Sequence, residues 1–334
     1  MMNRIKLAQF GLGPIGIESV KLAAQRPWAE LVGAVDIDPQ KHGKTVADLT
    51  GIAQLRAAKV YPTFEALWAE ARPQVVLHTA GSRAEQSIRQ IEPMIRHGVS
   101  VVSSCEELLF PQLRAPDATK RLDELCRASG ARVLGTGVNP GFVMDLLPVF
   151  LTGVSREVRR IYVERVVNAS TRRKSLQQKI GSGLDPDEFR QLFRQGRAGH
   201  AGFQESVALI AYCMGWQLDG ITETCEPVVA DHDIQTDHFQ VKKGLTCGLH
   251  QNAEGKVGGV SRIVLDLKMY LDAPDPHDLV KVDGDPPLDV LVRNGVAGDR
   301  ATVAALVNAV PRILKASPGV LLVTDLAAPC WKSE

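Results

Sequence analysis

The chain has 334 residues, 45% of them apolar, enough to bury a sizeable core in two domains or in one large α/β unit. Its 39 Lys and Arg nearly balance 38 Asp and Glu, and the resulting net charge of +1 argues against a large nucleic-acid surface. No apolar run reaches the roughly 18 residues of a membrane helix, and the cysteines at 105, 126, 213, 225, 247 and 330 form no C-x-x-C, which fits a reducing cytoplasm with no disulfide framework and no zinc site.

In the first half, apolar runs predict strands over 5–10, 31–36, 74–79, 99–104 and 131–135. Amphipathic stretches near 14–25, 42–50, 64–71, 84–97 and 117–129 alternate with them. This rhythm predicts an α/β fold: an N-terminal Rossmann-type, doubly wound parallel sheet over residues 1–150, with helices on both faces. Past 150 the rhythm changes. Segments 156–169 and 256–272 read as long, half-exposed antiparallel strands, and helices near 186–195 and 202–216 interrupt them. Residues 273–295 read as loops and short strands. A second α+β domain is therefore expected over 151–298. The remainder, 299–334, opens with a helix over 299–316, capped by Asp299 and open to a kink at Pro311.

The segment IKLAQFGLGPIG puts Gly11, Gly13 and Gly16 between the first strand and the first helix. Gly11 permits a tight turn, Gly13 a close approach of pyrophosphate, and Gly16 close helix–strand packing. Pro14 and Ile15 begin the helix, whose N-terminus offers amides to an anion. The second strand ends at Asp36, about 20 residues further on, where a carboxylate accepts from the adenosine ribose and repels a 2′-phosphate. NAD is thus favoured, while Lys41 and Lys44 keep NADP open.

Three further strand ends face the same side, where ligands of parallel sheets bind. The first is His78-Thr79-Ala80-Gly81-Ser82: Thr79 and Ala80 are small enough to admit the ribose and nicotinamide, and His78 reads as a packed strand residue. The second is Ser103-Ser104-Cys105-Glu106-Glu107. A helix start accounts for one of those carboxylates, less readily for both. Cys105 reads as a small buried residue. The third runs into Gly135-Thr136-Gly137-Val138-Asn139-Pro140-Gly141-Phe142, where Asn139 either holds a carboxamide or makes an ordinary Asn-Pro turn.

GLGPIG, SSCEEL, GTGVNPGFVMD, AGHAGFQES and GVAGDRATVAALVN together resemble the 2,4-diaminopentanoate dehydrogenases and related native amine dehydrogenases, within the wider dihydrodipicolinate reductase-like group. The resemblance spans about residues 5–325. It implies NAD(P)-dependent oxidation of an amine-bearing carbon, or reductive amination in reverse, with a small amine or carbonyl and ammonia as substrates. It also implies a last helix that returns to the cofactor domain, and a homodimer. The catalytic acid falls at Glu106, with Glu107 as the fallback, and Phe142, His200 and Thr302 border the substrate. The paired histidines of dihydrodipicolinate reductases are missing, as is a lysine at the Glu106 slot, where homoserine dehydrogenases carry one. A glutamate there favours C–N over C–O chemistry, because it can take a proton from an ammonium group. An imine reductase, a homoserine dehydrogenase-like enzyme and a cofactor-binding sensor are the alternatives. Thr171-Arg172-Arg173-Lys174 reads as a solvated loop rather than an anion site, and His232 and His238 lack a metal-ligand spacing, so no metal is expected.

Overall fold

A computed structural model describes residues 4–331. The chain divides into two compact units: Met1–Gly141 with Ala297–Glu334, and Phe142–Val296. The first crossing thus precedes the boundary expected at 150.

The first unit alternates strand and helix as β1 (Ile5–Phe10), α1 (Pro14–Ala23), β2 (Ala29–Val35), α2 (Val46–Thr50), β3 (Lys59–Tyr61), α3 (Phe64–Ala71), β4 (Val75–His78), α4 (Ala84–Arg96), β5 (Ser100–Ser103), α5 (Pro116–Ser129) and β6 (Arg132–Gly135). Local chemistry sets the helix ends. Proline takes the first turn of α1 and α5, where its missing N–H costs nothing. A Thr45–Asp48 capping box starts α2, and the Thr63 hydroxyl accepts the Ala66 amide at the start of α3. The short strand β3 is an addition to the expected set: its three residues are too few to show a period.

The second unit contains α6 (Leu146–Leu151), β7 (Glu157–Asn168), α7 (Lys174–Lys179), α8 (Pro186–Arg194), α9 (Phe203–Met214), β8 (Gly220–Val229), β9 (Ile234–Gln235), β10 (Gln240–Val241), β11 (Thr246–Val257), β12 (Val260–Tyr270), β13 (His277–Asp285) and β14 (Leu288–Arg293). Six strands form one sheet in the order β14-β13-β7-β12-β11-β8. The pair β7–β12 is parallel, with Leu265 opposite Val163, which corrects the reading of these two segments as antiparallel strands, although each also pairs antiparallel with its other neighbour. Alternation of polar and apolar residues fixes which face of a strand is buried but not the direction of its neighbour. The stretch 273–295, expected as loops and short strands, supplies β13, of nine residues, and β14, of six.

The chain then returns to the first unit through α10 (Gly298–Ile313) and β15 (Gly319–Leu321). Ala297, not Asp299, occupies the N-cap of α10; Asp299 lies in the first turn, and the helix continues through Pro311. The first sheet is wholly parallel, in the order β15-β6-β5-β4-β1-β2-β3. Strand order reverses between β1 and β4, the switch point beyond whose carboxyl ends such sheets bind ligands. Below this point Val76, Val101 and Val133 pack against Ile88, Ile91 and Ile95 of α4 and Leu122 of α5. Each fully buried aliphatic side chain contributes about 1.5–3 kcal/mol. That core holds the strand ends, and α10 packs against α1, β4 and β5.

Candidate active site

The glycine loop leaves β1 with Gly11 at φ +89, a conformation that favours glycine. A Cβ on Gly16 would lie 1.9 Å from the Gly11 carbonyl oxygen, so this contact between loop and helix requires glycine. A Cβ on Gly13 would meet nothing within 4 Å. Gly13 and Pro14 are exposed and Ile15 half-buried, and no side chain caps α1. An open glycine at the uncapped N-terminus of a helix fits a dinucleotide pyrophosphate.

The loop is braced from beneath by a residue that sequence reasoning missed. Gln9, buried within β1, donates from Nε2 to the Gly11 carbonyl at 3.0 Å and to Thr79 Oγ1 at 2.9 Å. Thr79 Oγ1 donates in turn to the Gly11 carbonyl at 2.9 Å, so Thr79 ties β4 to the loop. Ala80 follows it, half-buried.

Asp36 is 7% exposed just beyond β2. Its Oδ2 accepts the Leu12 amide at 2.7 Å and Lys41 Nζ at 3.0 Å, and its Oδ1 accepts the Asp38 amide at 2.9 Å. Burial pushes this carboxyl upward, but the two amides and the ammonium together hold it below the ordinary carboxylate value. Asp36 is therefore ionised, and it also shapes the loop, with Lys41 as an ion-pair partner that local spacing marks only as a nearby charge.

At the end of β5 a 3-10 turn spans Glu106–Leu109. A Cβ on Gly135 would lie 2.2 Å from the Leu108 carbonyl oxygen, so glycine at the end of β6 lets this turn lie on the strand. The two glutamates have different surroundings. Glu107 is 6% exposed; its Oε2 accepts the Ala84 amide at 2.7 Å and its Oε1 accepts from Arg83 Nη1 at 2.8 Å. It caps α4, a structural commitment that weighs against the fallback catalytic role. Glu106 opens the turn, half-buried. Beside them the Cys105 thiol is pushed up to about 11 by burial, which makes it a poor nucleophile.

Asn139 precedes a cis peptide to Pro140 in the loop after β6. Thr302, on α10, holds this loop: its Oγ1 accepts the Val138 amide at 3.3 Å. The first unit thus brings together the ends of β1, β2, β4, β5 and β6 with Thr302. Phe142 and His200 belong to the second unit. The Phe142 carbonyl accepts the Leu147 amide at 2.8 Å. His200 is clamped by Gln251, which accepts the His200 amide at 2.7 Å and donates to its carbonyl at 2.8 Å. Arg173, in the segment read as a solvated loop, donates to Ser175 Oγ at 2.9 Å. Among the described residues no group of three or more His, Cys, Asp or Glu is placed to hold a metal ion.

Residues 142–332 match the family model of the 2,4-diaminopentanoate dehydrogenase C-terminal domain. The 2,4-diaminopentanoate dehydrogenase of Acetoanaerobium sticklandii is 30% identical, over 98% of this chain and 95% of that protein. An amine dehydrogenase of Streptomyces virginiae is 24% identical, over 96% of each chain. The solved amine dehydrogenase of Mycobacterium smegmatis has the same fold, with a TM-score of 0.87 and 20% identity over 98% of this chain and 97% of that one. On these matches the chain belongs to the 2,4-diaminopentanoate dehydrogenase family.

Proposed function

We propose that this oxidoreductase converts a small primary amine to its carbonyl compound and ammonia, or runs the reverse reductive amination, with Glu106 as the general base. The observation that carries this reading is the division of labour at the end of β5. Glu107 gives both carboxylate oxygens to α4 and Arg83, while Glu106 opens the turn in the unit that bears the glycine loop. Family membership supplies the substrate class.

A nicotinamide dinucleotide, when bound, accepts the hydride from the amine-bearing carbon. Gly11, Gly13, Pro14, Ile15 and Gly16 would hold its pyrophosphate, Asp36 its adenosine ribose, Thr79 and Ala80 its other ribose, and Asn139 its carboxamide. NAD is the proposed preference, because the ionised Asp36 opposes a 2′-phosphate; Lys41 moderates that opposition. Glu106 takes a proton from the substrate ammonium, so that the nitrogen lone pair can expel hydride. It then directs water onto the resulting iminium carbon. Thr302, Phe142 and His200 are proposed contacts to the substrate.

We further propose a cytoplasmic homodimer. In the second unit α8 packs against β8, and α9 against β8, β11 and β12. The cross-strand group Glu164, Asp266, Lys268 and His277 is held together by ion pairs, such as His277 Nε2 to Glu164 Oε1 at 3.0 Å. Sedimentation showing a monomer at micromolar concentration would contradict the dimer. The function itself is tested by NAD and NADP reduction across a panel of amines, diamines and alcohols: turnover of amines alone is expected, and turnover of alcohols alone would overturn it.

A further inference from the structure

We propose that His78 and Ser103 are positioning residues, which hold the Glu106 turn through one chain of hydrogen bonds running from α4 to the Cys105 amide. The proposal rests on the reading of Glu106 as the base.

His78, at the end of β4, is 0% exposed. Its Nε2 lies 2.9 Å from Gln90 Oε1 and its Nδ1 lies 2.9 Å from Ser103 Oγ. A carbonyl oxygen only accepts, so Nε2 carries the proton and Nδ1 accepts from the Ser103 hydroxyl. Ser103 Oγ in turn accepts the Cys105 amide at 3.1 Å. Every member has a defined role, and the chain ends on the residue that adjoins Glu106. The ring also stacks on Phe10, with centroids 5.3 Å apart, where β1 hands over to the glycine loop. The helix side is equally regular. Ala84 and Gln90, on α4, bond Glu107 and His78 respectively. Ser87, between them in sequence, is fully buried. Through these two bonds α4 holds Glu107 directly and Ser103 by way of His78. Burial drives His78 down to about 4, which keeps the ring neutral and the donor pattern fixed at working pH.

A buried histidine filling space alone would tolerate an apolar replacement at some cost in stability and none in chemistry. A positioning residue behaves otherwise, because displacement of a catalytic group by about 1 Å costs up to about 100-fold in rate. The test uses full-length Ser103→Ala, which removes only the bridging hydroxyl, with His78→Leu and His78→Asn. In the last of these the carbonyl oxygen of the introduced carboxamide stands in for Nδ1. Ser103→Ala and His78→Leu are expected to lower kcat for amine oxidation by about 10- to 100-fold with KM for NAD unchanged. His78→Asn is expected to recover most of that loss. Hydrogen exchange at the Cys105 amide should quicken in the first two variants and stay slow in the third. Wild-type kcat in both Ser103→Ala and His78→Leu, or unchanged exchange at Cys105, would overturn the proposal. An inactive wild-type enzyme would instead remove the amine reading, and the exchange arm would still decide the positioning.

Discussion

Glu107 Oε2 accepts the Ala84 amide at 2.7 Å across 23 residues of sequence, so the second glutamate of the pair is the N-terminal cap of another helix. Removal of a carboxylate cap typically costs about 0.5–2 kcal/mol. Glu107→Ala should therefore lower stability by about 1–2 kcal/mol in denaturant unfolding. The Glu107→Gln variant should keep most of the activity, because its amide oxygen can still accept the Ala84 N–H. A loss of turnover in Glu107→Gln comparable to that in the Glu106 variant would move the base by one residue.

Cofactor choice should follow the Asp36–Lys41 pair. Asp36→Ala removes the charge that opposes a 2′-phosphate but also the acceptor of the Leu12 amide. Titration of NADH and NADPH fluorescence should show a narrowed preference together with weaker binding of both. Lys41→Ala, by contrast, should leave NADH affinity within a few-fold and weaken NADPH by about 1 kcal/mol or more, the order of one charge-assisted contact. Tighter NADPH binding in Lys41→Ala would contradict this account.

Much of the first unit was legible because its signals are local. Gly11, Gly13 and Gly16 sit within six residues, and periodicity marked β1 and α1 on either side. Five strands and five helices of the doubly wound sheet followed from alternation alone. What escaped was set by contacts remote in sequence. Nothing near Glu107 announces Ala84, nothing near His78 announces Ser103, and Gln9 looks out of place in an apolar strand until its bonds to Gly11 and Thr79 are seen. The direction of β7 against β12 and the extent of β13 and β14 depended on tertiary pairing that propensity does not encode.

Another such pair lies in the second unit. Arg165 Nη1 donates to Asp278 Oδ1 at 2.7 Å, and both are nearly fully buried. The same two side chains bind both groups of Val296: Arg165 Nη2 donates to its carbonyl at 2.6 Å, and Asp278 Oδ2 accepts its amide at 2.7 Å. Burial raises the Asp278 carboxyl, opposed by Arg165. Loss of one partner strands a buried charge, so Arg165→Met should cost about 3–5 kcal/mol. The double variant with Asp278→Leu should cost less than the sum of the single changes, as chemical denaturation of the four proteins can show.

The buried imidazole predicts a pH dependence. His78 titrates near 6.5 when unfolded and is held at about 4 in the fold, chiefly by burial. Between those values the unfolded chain takes up a proton that the folded chain refuses, so stability falls as pH drops from 6.5 to 4. The loss attributable to this group is about 3 kcal/mol. Unfolding free energies measured across that range should fall more steeply for the native protein than for His78→Leu. Parallel curves would contradict the assignment.

The central claim is that Glu106 is the base of an amine dehydrogenase. Glu106→Gln keeps the size and most hydrogen bonding of the side chain and removes the proton acceptor. Single-turnover reduction of NAD by a saturating amine substrate, measured beside NADH affinity in the same variant, tests it most directly. The account predicts a rate lower by about 100- to 10,000-fold, the range for loss of a general base, with NADH affinity unchanged. Native-like rates in Glu106→Gln would contradict it.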